Sequence, residues 1–168
     1  MVALERIALH RHWLRADAIK YVMFEGRASP KNIPEDSRQL GEMHSIALRL
    51  EVFYGLIYVV VEGYKKLEIR DQKVDSLLQH TEYVERLRRF RNAIFHYHKD
   101  PLNTKLIHFM DAPDSETWIR KLYSAFEQFF LRRLPIKEKL SEMGWNDASS
   151  PYARRNHCRR RSRDDDDN

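Results

Sequence analysis

Between Arg89 and His98 the chain reads Arg-Phe-Arg-Asn-Ala-Ile-Phe-His-Tyr-His, which sets guanidinium, amide and imidazole groups within about two to three helical turns. A guanidinium keeps its charge at physiological pH and grips phosphate oxygens with a rigid fork of donors, while an imidazole moves protons near neutrality. Arg91, Asn92 and His96 are therefore candidates for metal-free cleavage of RNA by its own 2′-hydroxyl. The imidazole would move the proton, and the guanidinium would offset the charge growing on the phosphate. His98 is an alternative to His96, because seven positions from Arg91 return to nearly the same helix face.

Helix geometry limits how these groups cooperate. Asn92 and His96 lie four positions apart and share a face, so the amide is placed to orient the imidazole, whereas Arg91 and His96 diverge by about 140°. A complete site needs either a helix that ends near His96 or a second copy of the motif across a two-fold axis. Glu62 interrupts an otherwise apolar run and calls for a partner. It pairs with Arg91 or Arg88 across the bundle, or it belongs to a solvent-facing stripe with Lys65 and Lys66. Taken singly, Arg91 also reads as a helix-surface arginine paired with Glu82, Glu85 or an acid on another helix, and His96 as a C-terminal histidine suited to the helix dipole.

The elements that must hold this motif read as helices. Leu, Arg, Glu and Lys are abundant while glycine is limited to 5 and proline to 6, a balance that disfavours turn-rich β folds. Leu4, Ile7, Ala8, Trp13 or Leu14, Ala18 and Val22 predict an amphipathic helix over about 3–24. A polar loop with Gly26, Pro30 and Pro34 follows. Asp36 and Gln39 resemble a capping box opening a second helix to about Leu67, whose middle is buried on most faces. Residues 71–80 hold a short helical turn, and Thr81 caps the helix that carries the motif, with Val84, Leu87, Phe90 or Arg91, and Ile94 inward. Asp100-Pro101 is a stop signal. Residues 102–110 are compatible with an extended segment. Pro113 to Glu116 opens a last long helix to about Leu134, with Trp118, Leu122, Ala125, Phe126, Phe129 and Phe130 as its core face. The sum is an all-α chain.

With 168 residues, of which 42% are hydrophobic, the chain can bury one core. Six arginines crowd between Arg154 and Arg163 beside the acidic run Asp164 to Asp167, so the net charge of +5 and the basic pI alone do not argue for nucleic acid. Residues 141–168 form a polar, Arg-rich and Asp-rich tail expected to be disordered. The single Cys158 permits no intramolecular disulfide, which fits a reducing, cytoplasmic setting. The N-terminus lacks an apolar run of signal-peptide length and residues 52–61 are too short to span a bilayer, so no membrane partner is expected. No metal is expected either, since the spaced pairs His10/His12 and His96/His98 do not share a helix face.

Arg91-Asn92-Ala93-Ile94-Phe95-His96 resembles the signature of the HEPN superfamily: an arginine, usually a polar residue next, then a histidine after four to six positions, late in the third long helix. The resemblance implies an all-α, up-and-down bundle of four to five helices over residues 1–140, a homodimer that joins two motifs in one cleft, and metal-independent endoribonuclease activity leaving a 2′,3′-cyclic phosphate. On it, Arg91 and His96 are the catalytic pair and Asn92 the polar neighbour, with RNA as substrate, no cofactor, and an antitoxin protein as partner in a toxin or phage-defence setting. Toxins of the HEPN/MNT type carry a tyrosine two positions after the histidine. Here that place is His98 and Tyr97 stands one position early, which departs from regulation by tyrosine modification. Many members of the superfamily are binding modules, so a non-catalytic interaction or nucleotide-binding module is the alternative.

Overall fold

In a computed structural model of the chain, residues 2–23, 34–97, 99 and 104–135 are described, and among them there are six α-helices and no strand. They are α1 (Val2–Val22), α2 (Glu35–Lys66), α3 (Gln72–Leu78), α4 (Thr81–Phe95), α5 (Thr104–Met110) and α6 (Ser115–Arg133). The chain divides into two compact units, Met1–Phe130 and Leu131–Asn168. Of the second, only the last turn of α6 and the two residues after it are described. The Gly26 and Pro30 loop, Asp100-Pro101, His98, Cys158 and the 141–168 tail lie outside the described residues.

α2 is the spine of the first unit. Its 32 residues extend about 48 Å, and the stretch from Phe53 to Tyr64 is the buried one. α1 runs antiparallel to it: Leu9 closes on Gly63, while Arg49 donates to the carbonyls of Val22 and, at 3.1 Å, Met23. From Glu35 to His44, by contrast, every residue of α2 is exposed, so burial on most faces holds only for the second half. The helix also starts two residues earlier than the capping box implied. Pro34 takes the cap position without a side-chain bond, and the Gln39 amide donates instead to Glu35 at 3.2 Å.

The core is aromatic. Trp118, Leu122, Ala125, Phe126, Phe129 and Phe130 of α6 are buried, as their spacing required. Tyr64 meets Phe126 edge-on at 5.6 Å between ring centres, and Trp13 stacks on Tyr123 at 5.3 Å, geometries that add to plain area burial. Three polar tips are satisfied at its edges, while the buried Trp13 Nε1 has no hydrogen-bond partner among the described residues. Tyr64 donates to Asp75 at 2.8 Å, Tyr123 donates to Asp17, and Trp118 donates to the Leu77 carbonyl at 3.0 Å. Burial and these carboxylate partners push both tyrosine hydroxyls well above their ordinary pKa.

Two further elements differ from their sequence reading. In α1 the inward residues are Leu9, Trp13 and Ala16, with Met23 buried just past its end, while Leu4, Ile7 and Leu14 are exposed. The helix carries apolar residues on both faces, and the regular stripe read from the sequence is largely the outer one. Residues 104–110 are helical, not extended. Phe109 is fully buried and sets its ring 5.4 Å from Phe90 and 5.5 Å from Tyr54, so tertiary packing fixes this short helix where propensity does not.

Candidate functional site

α4 positions the motif. Its inward residues Val84, Leu87 and Phe90 are buried, and the next position along brings Arg91 to the seam with α2. His80 takes its N-cap position without a side-chain bond, and Thr81 is the first helical residue. At the other end Phe95 is the last helical residue. His96 turns to extended geometry (φ −116°, ψ 141°), its N–H still donating to the Asn92 carbonyl at 3.2 Å. Of the two ways to complete a site, the helix end is therefore present in the chain. The His96 imidazole is exposed, and its link to the Arg91 cluster is that backbone bond.

Arg91 is the anchor of the cluster. Its Nη2 donates to Glu62 Oε2 at 2.7 Å, its Nη1 donates to Asn92 Oδ1 at 2.9 Å, and its guanidinium carbon lies 5.3 Å from the centre of the Tyr58 ring. Its Nε is buried and has no hydrogen-bond partner among the described residues. The side chain is 20% exposed against 53% for Glu62, so the guanidinium sits in the seam and the carboxylate at its rim. Of the two arginines weighed for Glu62, Arg91 is the partner. Glu62 is also solvent-facing, as are Lys65 and Lys66, so the two readings of that residue hold together.

Asn92 turns its amide to Arg91 rather than to the imidazole, and its link to His96 is the backbone bond. Phe95 covers Gly55 of α2: a Cβ there would stand 2.8 Å from the ring, so glycine lets the motif end lie close against α2. Tyr58 has its hydroxyl pKa raised, first by burial and then by the Glu62 charge. His98, the alternative imidazole, lies outside the described residues.

The outer face of α4 carries features that the sequence reading did not use. Arg88 donates to Glu85 through Nε and Nη2, both at 2.7 Å, and Arg89 donates to the same carboxylate at 3.0 Å. These two arginines hold the Glu85 carboxyl down at about 2. Arg86 pairs with Glu82 at 2.5 Å and reaches the His108 carbonyl of α5 at 3.1 Å. Together they line a cleft of about 890 Å3 between α4 and α5, and Asn92 lines it too. The signal was present in the three- and four-residue spacing of Glu82, Glu85, Arg86 and Arg89, but the opposite wall was not, because α5 was not read as a helix.

Among the described residues no three His, Cys, Asp or Glu side chains gather as a metal-binding group, and no helix is long and apolar enough to cross a membrane. Compared with protein-family models, with curated proteins and with solved structures, the chain matches none, so its chemistry rests on its own residues.

Proposed function

We propose that the chain is a HEPN-like, metal-independent endoribonuclease. One observation carries the reading: α4 ends immediately before His96, leaving an exposed imidazole one backbone hydrogen bond from Asn92, whose side chain holds Arg91. His96 takes the proton of a ribose 2′-hydroxyl. The 2′-oxygen forms a bond to phosphorus, the bond to the 5′-oxygen breaks, and the products are a 2′,3′-cyclic phosphate and a 5′-hydroxyl. Arg91 stabilises the charge on the non-bridging oxygens by exchanging Glu62 for the phosphate.

The reaction moves two protons, one from the 2′-hydroxyl and one to the leaving oxygen. The cluster has one described imidazole. Pairing of two chains about a two-fold axis supplies the second, and Phe95 and Tyr97, which flank His96 and are 47% and 89% exposed, offer apolar surface for such a contact. His98 is the alternative source. An enzyme that cuts cytoplasmic RNA also needs restraint, which is the place of an antitoxin partner in a toxin or phage-defence role.

The test is cleavage of RNA in EDTA by the wild type, Arg91→Ala and His96→Ala. Loss in both variants supports the reading, whereas equal cleavage in all three, or none in the wild type, removes it. A second reading is favoured by the same arginine: its bonds to Glu62 and Asn92 and its place over Tyr58 are those of a clamp between α2 and α4, which a non-catalytic interaction module would also need.

A further inference from the structure

The cleft between α4 and α5 has fixed walls. Besides the Arg86 bond to the His108 carbonyl, the Phe90 and Phe109 rings lie 5.4 Å apart beneath it, and Tyr83 donates to the Pro113 carbonyl at 2.7 Å beyond its end. On the α4 side the guanidiniums are already oriented. Glu85 alone faces both Arg88 and Arg89, a local surplus of one positive charge within a lining whose three arginines and three carboxylates sum to zero. Arg89 engages Glu85 through Nε, which leaves its terminal amines for a ligand.

The lining is mixed: Glu82 and Asp111 share the cleft with the arginines. That mixture discriminates among anionic chains. An acidic peptide meets the arginines well and the two carboxylates badly. A nucleic acid strand satisfies both, with phosphates for the guanidiniums and exocyclic base amines for the carboxylates. A volume of about 890 Å3 has room for a short stretch of a single strand.

We propose that this cleft is the track for single-stranded RNA, its phosphates on Arg88 and Arg89 and its base edges toward Glu82 and Asp111. The assignment rests on the ribonuclease reading at one residue: Asn92 lines the cleft and also holds Arg91. A strand lying along α4 from Arg86 thus reaches the motif after six residues, about 9 Å of helix.

The experiment measures binding of the full chain to a labelled, 2′-O-methylated RNA 12-mer in EDTA by fluorescence anisotropy over a range of salt. The methyl groups block cleavage, so binding is read without activity. Arg88→Ala/Arg89→Ala is compared with Arg120→Ala, an exposed α6 arginine paired with Glu116 and outside the cleft. Arg88 and Arg89 are 48% and 60% exposed, and unchanged circular dichroism confirms that the double variant folds. The expected result is about tenfold weaker binding at low salt and a salt slope smaller by about 1.4, the value for two lost phosphate contacts on a single strand, with Arg120→Ala unchanged. No binding by the wild type, an unaltered slope in the double variant, an equal loss in Arg120→Ala, or competition by polyglutamate as strong as by RNA overturns the proposal. If unmodified RNA is cleaved but the slope is insensitive, the cleft fails and the ribonuclease reading stands. If the cleft binds and nothing is cleaved, the reading fails instead.

Discussion

Arg91 and Glu62, 29 positions apart in the chain, meet across α4 and α2 at 2.7 Å. Removing Arg91 takes away this bond, the bond to Asn92 and the contact with the Tyr58 ring, so Arg91→Ala is expected to cost about 1–3 kcal/mol of stability. Glu62 is half exposed and solvent screens it, so Glu62→Gln is expected to cost less than about 1 kcal/mol. Urea denaturation of both variants and of the double mutant measures the coupling. Equal costs for the two single variants would contradict this asymmetry.

Two α2 glycines are expected to respond to alanine with opposite sign. A Cβ at Gly63 would stand 2.6 Å from Leu9 Cδ1, and Leu9 is buried, whereas a Cβ at Gly41 meets nothing within 4 Å. Gly63→Ala should therefore destabilise by about 1–3 kcal/mol through overpacking. Gly41→Ala should stabilise by about 0.5–1 kcal/mol through helix propensity alone. Adding Leu9→Ala to Gly63→Ala should cost less than Leu9→Ala does alone, since the two share one space. Chemical denaturation gives all four values, and shifts of the same sign in the two glycine variants would refute the α1–α2 register.

Acidification below neutrality is expected to weaken the fold through α1. His10 sits between the rings of Trp13 and Phe130, 5.9 and 4.9 Å away, and burial holds its pKa below the ordinary 6.5. His12 is shifted the same way, by burial and then by Arg15 and Arg11. A group with a lowered folded pKa binds fewer protons when folded. Its contribution is complete above the unfolded value of about 6.5 and is lost as pH falls toward the folded one. The melting temperature should drop between pH 7.5 and 5.5, and His10→Phe should reduce the drop. Glu85, held at about 2, keeps its charge across that window and does not contribute. A melting temperature that rises on acidification would contradict this placement of His10.

The sequence carried the helical class and the order of the long helices, because each rests on periodicity; for Glu62 it raised the need of a partner but left Arg91, Arg88 and a solvent-facing stripe open, and the structure selects Arg91. The α6 face was legible because its aromatic residues fall on one side only. α1 was not: Leu9, Trp13 and Ala16 recur at the same three- and four-residue steps as Leu4, Ile7 and Leu14, and a one-dimensional pattern does not say which stripe faces α2. α5 owes its helix to Phe109 packed against Phe90 and Tyr54, contacts made by distant parts of the chain. The α4–α5 cleft was hidden with it. At the motif, spacing on an ideal helix separated Arg91 from His96, and the termination at Phe95 was invisible in a run of residues that all tolerate helix. Asp71 shows the reverse. It reads as part of a short turn, and in the structure its carboxylate caps α3 by accepting from the Lys73 and Val74 N–H groups at 3.1 and 3.3 Å.

The central claim, that His96 and Arg91 cleave RNA through its own 2′-hydroxyl, is tested most directly with a DNA oligonucleotide carrying one ribonucleotide, incubated with the purified chain in EDTA. The account expects a single cut on the 3′ side of that ribonucleotide, ending in a 2′,3′-cyclic phosphate. His96→Ala should lower the rate at least about 100-fold, the scale of a lost proton-transfer group, and the all-DNA strand should stay intact. Cleavage of the all-DNA strand, no cleavage of the ribonucleotide substrate by the wild type, or an undiminished rate in His96→Ala would contradict it.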